Sequence, residues 1–233
     1  MNGIELREVW FRYPGSREWT LRGVSLEIRR GEVLALVGPN GSGKTTILKL
    51  AGGLYRPSRG KVKFWRSNIW EVNGSRRLEL RRMVVYVHER PILLRGTALD
   101  NIAFAPLLRG MPREEAVRRA EELLSDTESA YLSRKDRREM SAGEAQVVSI
   151  LRAVAASPRI LLLDEPTAHL DREKRGVMTG LIGKLRSEGM GIAIATHDHL
   201  LALRTADRVA VVENGVIGSI GRPSEVLDFF KIY

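Results

Sequence analysis

The sequence has no cysteine among its 233 residues. Disulfides, thiolate metal sites and cysteine nucleophiles are thereby excluded. No apolar run approaches the ~20 residues of a membrane-spanning helix. The first residues, Met1-Asn2-Gly3-Ile4-Glu5-Leu6, lack the basic-then-apolar order of a secretory signal. There is no internal repeat and no low-complexity linker. Acidic residues are outnumbered, 28 against 38 Lys and Arg, for a formal net charge of +10. That balance suits polyanionic partners: nucleic acid, anionic head groups or nucleotides. The basic residues nevertheless fall in short pairs, such as Arg29-Arg30, Arg76-Arg77, Arg81-Arg82 and Arg118-Arg119, and form no long nucleic-acid arm. A solvated surface accounts for them. Hydrophobic residues make up 43%, enough for a sizeable core in one large domain or two small ones. The expectation is a cytoplasmic protein.

What is present is organised around Gly38-Pro39-Asn40-Gly41-Ser42-Gly43-Lys44-Thr45, followed by Thr46. Glycine, four residues, then Gly-Lys-Ser/Thr is a phosphate-binding pattern. The apolar run Val33 to Val37 before it reads as a buried strand, and Ile47 to Ala51 after it as a helix. Glycines let backbone N–H groups turn inward around an anion, and the helix N-terminus adds its positive dipole end. Lys44 can reach the β- and γ-phosphates of a nucleotide. Thr45 can offer its hydroxyl to Mg²⁺.

Other segments follow in alternation. Val9 to Tyr13 reads as a strand closed by Pro14-Gly15-Ser16, and Leu21 to Ile28 as a second. Lys61 to Trp65 and Arg82 to Val87 read as further strands. Residues from about 90 to 157 lack β-runs and read as helices, with Pro112 as a first-turn proline and apolar helical spacing over Glu114 to Leu124. Ser125 to Glu139 is polar and loop-like. Ser141-Ala142-Gly143-Glu144 fits a capping box opening a helix through Val154. Strands return at Ile160 to Leu163 and Ile192 to Thr196, with a helix over Arg172 to Ser187 between them. A hairpin turns at Asn214-Gly215, and a last helix covers Ser224 to Phe230. The fold class expected is α/β, with a mostly parallel core sheet, an antiparallel β part at the N-terminus and a helical insert.

Two strand ends carry chemistry. Ile160 to Leu163 delivers Asp164 and Glu165 at its carboxyl end, where nucleotide crevices of parallel sheets lie. Asp164 is expected to hold Mg²⁺ directly or through water, and Glu165 to polarise an attacking water. Phosphoryl transfer needs little more than charge neutralisation, a placed water and alignment. His197 follows Thr196 by the same logic and can hydrogen-bond a γ-phosphate.

These residues together resemble the ATP-binding cassette ATPases that power ABC transporters. The resemblance runs from Val9 to about Leu227. Its most specific mark is Met140-Ser141-Ala142-Gly143-Glu144-Ala145-Gln146, similar to the family signature Leu-Ser-Gly-Gly-Gln. It implies a P-loop NTPase core over 1–88 and 159–233 with a helical subdomain at 89–158. It implies ATP and Mg²⁺, and a second cassette, homodimeric or paired, whose γ-phosphate Ser141, Ala142, Gly143 and Glu144 would close over. It further implies that Tyr13 stacks on adenine, although the residue could equally be a core aromatic beside Val9 and Phe11 by its spacing alone. Asp171, in Ala168-His169-Leu170-Asp171, would reach across the dimer. Glu89 takes the place of a glutamine that touches Mg²⁺ and senses the membrane partner. Ala142 replaces a glycine and Glu144 a glutamine.

With one cassette and no membrane segment, the resemblance implies a separate multi-span permease subunit and an extracellular solute-binding protein, with this chain peripheral on the inner face of the cell membrane. Arg90 to Ile102 with Gly143 to Gln146 is most similar to ATPases of tungstate and related oxyanion importers. Phe11 to Gly15 with Phe104 to Leu107 also resembles metal-ion and vitamin uptake cassettes. The +10 charge leaves open an ABC ATPase acting on nucleic acid or ribosomes, although the double cassettes, long coiled coils or metal-binding cysteines of such proteins are missing. An ordinary P-loop kinase is disfavoured by the signature stretch.

Overall fold

The structure, a computed structural model, describes residues 2–227. Two sheets carry the chain. The first is antiparallel, in the order β2-β1-β4-β5, built from β1 (Gly3–Phe11), β2 (Leu21–Arg29), β4 (Arg59–Phe64) and β5 (Ser67–Asn68). The second has the order β10-β9-β3-β8-β7-β6, from β3 (Val33–Val37), β6 (Val84–Val87), β7 (Ile160–Asp164), β8 (Gly191–Thr196), β9 (Arg208–Glu213) and β10 (Val216–Gly221). All its neighbours are parallel except the β9–β10 hairpin.

Alternation along the central strands explains the layering. In β7, Ile160 and Leu162 face the antiparallel sheet and the helix α1 (Lys44–Ala51), while Leu161 and Leu163 face the helices on the other side. In β8, Ala193 and Ala195 take the first side, and Ile192 and Ile194 the second. A strand buried on both faces must be apolar up to its end: β3 is apolar throughout, and β7 and β8 are until Asp164 and Thr196 close them.

Between β6 and β7 run α3 (Ala98–Leu108), α4 (Arg113–Asp126) and α5 (Ala142–Ala155), with a 3-10 turn at Ala130–Leu132. They pack on one another through Ile102, Ala116, Ala120, Leu124, Leu132 and Ile150. The remaining helices are α2 (Gly74–Arg82), α6 (Arg172–Ser187), α7 (His199–Thr205) and α8 (Pro223–Leu227).

Several expected boundaries move. The first strand begins at Gly3 and ends at Phe11, so Arg12 and Tyr13 have already left the sheet. Ile4 and Leu6 point inward and Glu5 and Arg7 outward, an alternation broken by a register shift before Val9. Arg82 closes α2 and does not open β6. That helix carries a single buried residue, Leu80, so periodicity gives it no signal; its Asn73 cap does. Pro112 is the N-cap of α4, with extended ψ of 145°, and the helix starts one residue later. The expected last helix is described only as far as Leu227; residues 228–230 lie outside the described chain.

Candidate functional site

Because β3, β8 and β7 are parallel neighbours, their carboxyl ends open along one edge of the sheet. The chain leaves β3 through Gly38 to Gly43 and enters α1. Gly43 is the N-cap of that helix with φ of 109°, and a Cβ there would stand 2.7 Å from Leu21 Cδ2. Both conformation and space therefore demand glycine. Lys44 folds back over the loop, donating from Nζ to the Gly38 carbonyl at 2.8 Å and the Pro39 carbonyl at 3.0 Å. Burial holds its pKa down, while the charges of Glu165 and Asp164 act in the opposite sense.

Asp164 ends β7 at 1% exposure. Its two oxygens have separate donors: Thr45 Oγ1 donates to Oδ1 at 2.9 Å and the Tyr86 hydroxyl to Oδ2 at 2.8 Å. Burial, then the negative charge of Asp164, drives the Tyr86 pKa well above the usual phenol range, so it stays a donor.

Glu165 has φ of 44°, the left-handed region. A non-glycine residue there costs on the order of 1 kcal/mol and persists only when its surroundings impose it. They do. Its N–H donates to the Ala195 carbonyl at 2.8 Å. Its carboxylate accepts from Thr196 Oγ1 at 3.2 Å and the His197 N–H at 3.1 Å, and pairs with His197 Nδ1 at 2.9 Å. The end of β7 is thus stitched to the end of β8.

A cavity of about 500 Å³ lies over this edge, lined among others by Tyr13, Asn40, Lys44, Thr45, Thr46, Glu89, Glu165 and His197. Residues scattered from position 13 to 197 meet in it. Tyr13 stands at its mouth, part-exposed, its hydroxyl 3.0 Å from Thr46 Oγ1 and its ring edge-on to Phe11 and Tyr55. It does not share the burial of Val9 and Phe11. Thr20, unforeseen in the sequence, completes the wall.

Ser141, Ala142, Gly143, Glu144 and Asp171 do not line this cavity. Ser141 caps α5 and exchanges both capping-box bonds with Glu144: Glu144 N–H to Ser141 Oγ at 3.2 Å, Ser141 N–H to Glu144 Oε2 at 2.7 Å. Lys135 Nζ also donates to Glu144 Oε2 at 2.8 Å. Burial alone would raise the Glu144 pKa, but Lys135 and Ser141 outweigh it and the pKa is lowered. Gly143 passes so close to the Ala168–Asp171 loop that a Cβ would meet the His169 carbonyl at 2.7 Å. Asp171 caps α6, accepting from the Lys174 N–H at 2.8 Å and pairing with its ammonium at 3.1 Å. Lys135 and Tyr86 are the partners that sequence reasoning missed. Neither belongs to a motif, and each is identified only by the carboxylate it reaches across the fold.

Among the described residues no helix is long and apolar enough to cross a membrane. Nor, among the described residues, is a group of three or more His, Asp or Glu placed to hold a metal unaided.

Residues 21–168 match the family model described as ABC transporter. The chain is similar to the energy-coupling factor transporter ATP-binding protein of Methanocaldococcus jannaschii, 33% identical over 96% of this chain and 80% of that one. It is similar to a sulfate/thiosulfate import ATP-binding protein of Rhizobium meliloti, 36% identical over 96% of this chain and 60% of that one. Among solved structures it superimposes with a TM-score of 0.86 on the dimeric post-hydrolysis state of the ATP-binding cassette MJ0796 bound to ADP and Pi, 29% identical over 94% of this chain and 98% of that one.

Proposed function

The chain belongs to the ABC transporter family of ATPases, and we propose that its three strand ends perform the ATP hydrolysis that drives oxyanion import through a separate membrane subunit. The observation that carries this reading is the meeting of Lys44 and Thr45, Asp164 and Glu165, and His197 at the edge formed by β3, β7 and β8. The loop from Gly38 to Gly43 surrounds the β-phosphate with N–H groups. Lys44 exchanges its two loop carbonyls for β- and γ-phosphate oxygens. Tyr13 covers the adenine at the cavity mouth, and Thr46 fixes the Tyr13 hydroxyl.

Thr45 and Asp164 present a hydroxyl and a carboxylate oxygen 2.9 Å apart, and Glu89 a carboxylate on the same cavity. Such hard oxygen donors fit Mg²⁺, which keeps waters and phosphate oxygens for its remaining positions. When bound, Mg²⁺ neutralises charge on the β- and γ-phosphates. Glu165 orients and polarises the attacking water. The Glu165–Nδ1 contact fixes the His197 ring, which leaves Nε2 to meet the γ-phosphate.

We read 1–88 with 159–233 as the nucleotide-binding core and 89–158 as an inserted helical subdomain. A second cassette supplies the signature residues Ser141, Ala142, Gly143 and Glu144 in trans, with Asp171 at the interface. The membrane subunit docks on the apolar groove between the core and the helical subdomain, and a solute-binding protein delivers cargo outside. The chain then sits peripherally at the inner membrane face. The oxyanion assignment draws support from the Arg90 to Ile102 stretch and from the sulfate/thiosulfate relative. The energy-coupling factor relative supports the metal-ion or vitamin alternative.

The test is Glu165→Gln. It should bind MgATP, fail to hydrolyse it and accumulate as a nucleotide-bound dimer by light scattering. Undiminished turnover with no ATP-dependent change in mass would remove Glu165 from its role. Solute-stimulated turnover with the membrane subunit in vesicles decides between tungstate and a metal ion as cargo.

A further inference from the structure

We propose that Tyr86 sets the metal selectivity of the site. By holding one oxygen of Asp164 it keeps the carboxylate from gripping an ion through both, and so favours Mg²⁺ over the larger Ca²⁺. The proposal deepens the reading of Thr45 and Asp164 as metal-holding residues and rests on it. Tyr86 belongs to β6, which pairs in parallel with β7, and lies opposite Leu162. Residues two apart on a strand share a face, so Leu162, Asp164 and Tyr86 look to the same side of the sheet. Tyr86 therefore reaches along that face to the end of β7, where its hydroxyl donates to Asp164 Oδ2 at 2.8 Å. Its ring stands edge-on to that of His88, with centroids 5.9 Å apart. The strand pairing and this ring contact fix the direction of the hydroxyl.

The carboxylate is tethered twice, and by different elements. Thr45 of α1 donates to Oδ1 at 2.9 Å, and Tyr86 of β6 holds Oδ2. Asp164 is 1% exposed, so water gives its oxygens little alternative. An ion arriving beside Thr45 meets Oδ1. To take Oδ2 as well it must displace the Tyr86 hydroxyl and break a charge-assisted hydrogen bond in buried surroundings. Mg²⁺ loses nothing by this restriction. It is small, keeps several waters and uses one or two carboxylates beside the phosphate oxygens. Ca²⁺ takes roughly six to eight oxygens and often grips a carboxylate through both. Glu89, exposed on the same cavity, adds a second carboxylate. The number of carboxylates would therefore not turn the larger ion away, whereas an occupied Oδ2 does.

The experiment is calorimetric titration of the full chain with ADP, given as MgADP, as CaADP, and alone in EDTA. ADP is not hydrolysed, so the readout is independent of turnover. The parent should bind MgADP tighter than CaADP. Tyr86→Phe should shrink the ratio of the two affinities about tenfold, the size of one hydrogen bond to a charged group, by weakening MgADP and strengthening CaADP. Its affinity for ADP in EDTA should stay within about twofold of the parent's. Tyr86→Met, which also lacks the donor, repeats the test with different packing. Val84→Ala is the control: it loosens the same buried strand opposite Ile160, away from Asp164, and should keep the parent's ratio. Circular dichroism melts show which variants are folded. A parental ratio in folded Tyr86→Phe or Tyr86→Met overturns the proposal and leaves Thr45 and Asp164 as metal ligands. A parent without preference for MgADP overturns it likewise. So does an equal change in Val84→Ala, because a loosened β6 would then be the cause. If neither metal alters the parent's ADP affinity relative to EDTA, the metal-site reading falls and the proposal falls with it.

Discussion

Replacing Glu144 by glutamine tests whether this carboxylate stabilises the subunit itself or acts on a partner's nucleotide. Glu144 is 8% exposed and takes two short donors on Oε2, the Ser141 N–H at 2.7 Å and Lys135 Nζ at 2.8 Å. Glutamine keeps the shape and one acceptor. It loses the charge that Lys135, itself only 30% exposed at the side chain, is paired with. A hydrogen bond to a charged group contributes about 1.5–3 kcal/mol against about 1 for a neutral one. An N-cap interaction is worth about 1 kcal/mol, and part of it survives in the amide. The expected loss is therefore about 1–2 kcal/mol at neutral pH.

The same pair gives the effect its pH dependence. The Glu144 pKa is lowered in the folded chain. Its contribution is fully present above the unfolded value of about 4.3 and disappears as pH falls through the lower folded value. Urea denaturation of both proteins at pH 7, and again in steps below pH 5, should show a gap of about 1–2 kcal/mol that narrows with acid. A Lys135→Met cycle should place most of the gap in the pair. A Glu144→Gln protein as stable as the parent at pH 7, or a gap that persists unchanged in acid, would refute the argument. Because Lys135 already neutralises the carboxylate, dissociation of the ATP-bound Glu165→Gln dimer should change less than threefold.

Lys44→Ala should abolish ATP hydrolysis while the circular dichroism melt stays near that of the parent, since Lys44 bonds only its own loop. Tyr86→Phe removes one of two donors from a buried Asp164, so it should lower stability by about 1–2 kcal/mol and weaken MgATP binding more than Mg²⁺-free ATP binding, measured by calorimetry. Gly143→Ala forces a methyl against the His169 carbonyl; a cost of about 1–3 kcal/mol in denaturation and lower turnover are expected, and a neutral result would mean that the loop yields freely.

The legible part of this molecule is the part whose physics is local. A phosphate loop needs its glycines and lysine at fixed spacing because one turn of chain wraps one anion. A capping box needs Ser141 and Glu144 three residues apart because the first helical turn sets that distance. Asp164, Glu165 and His197 could be marked because an apolar strand buried on both faces admits charge only at its end. Parallel order then does the rest: whichever strands lie between β3 and β7, their ends share an edge with Lys44. The sequence supports that inference without revealing that β8 is the strand between them.

What could not be read depends on which side chain a buried charge reaches across the fold. Tyr86 sits in a strand that reads simply as apolar, and its hydroxyl matters because it ends 2.8 Å from a carboxylate 78 positions away. Lys135 lies in a stretch that reads as a solvated loop, and it is the residue that changes the meaning of Glu144. Spacing makes Glu144 the capping-box partner of Ser141, and the family resemblance alone makes it an anion facing the place where a second nucleotide would sit. With Lys135 on it, the same carboxylate is one half of an internal pair and brings little net charge to a partner. The two readings differ in what the mutant does to the dimer, which is stabilised in the first and changes less than threefold in the second, where the loss falls on the monomer. A substituted residue in a known motif is therefore interpretable only together with its nearest opposite charge. At α5 that charge is supplied by Lys135, from outside the motif.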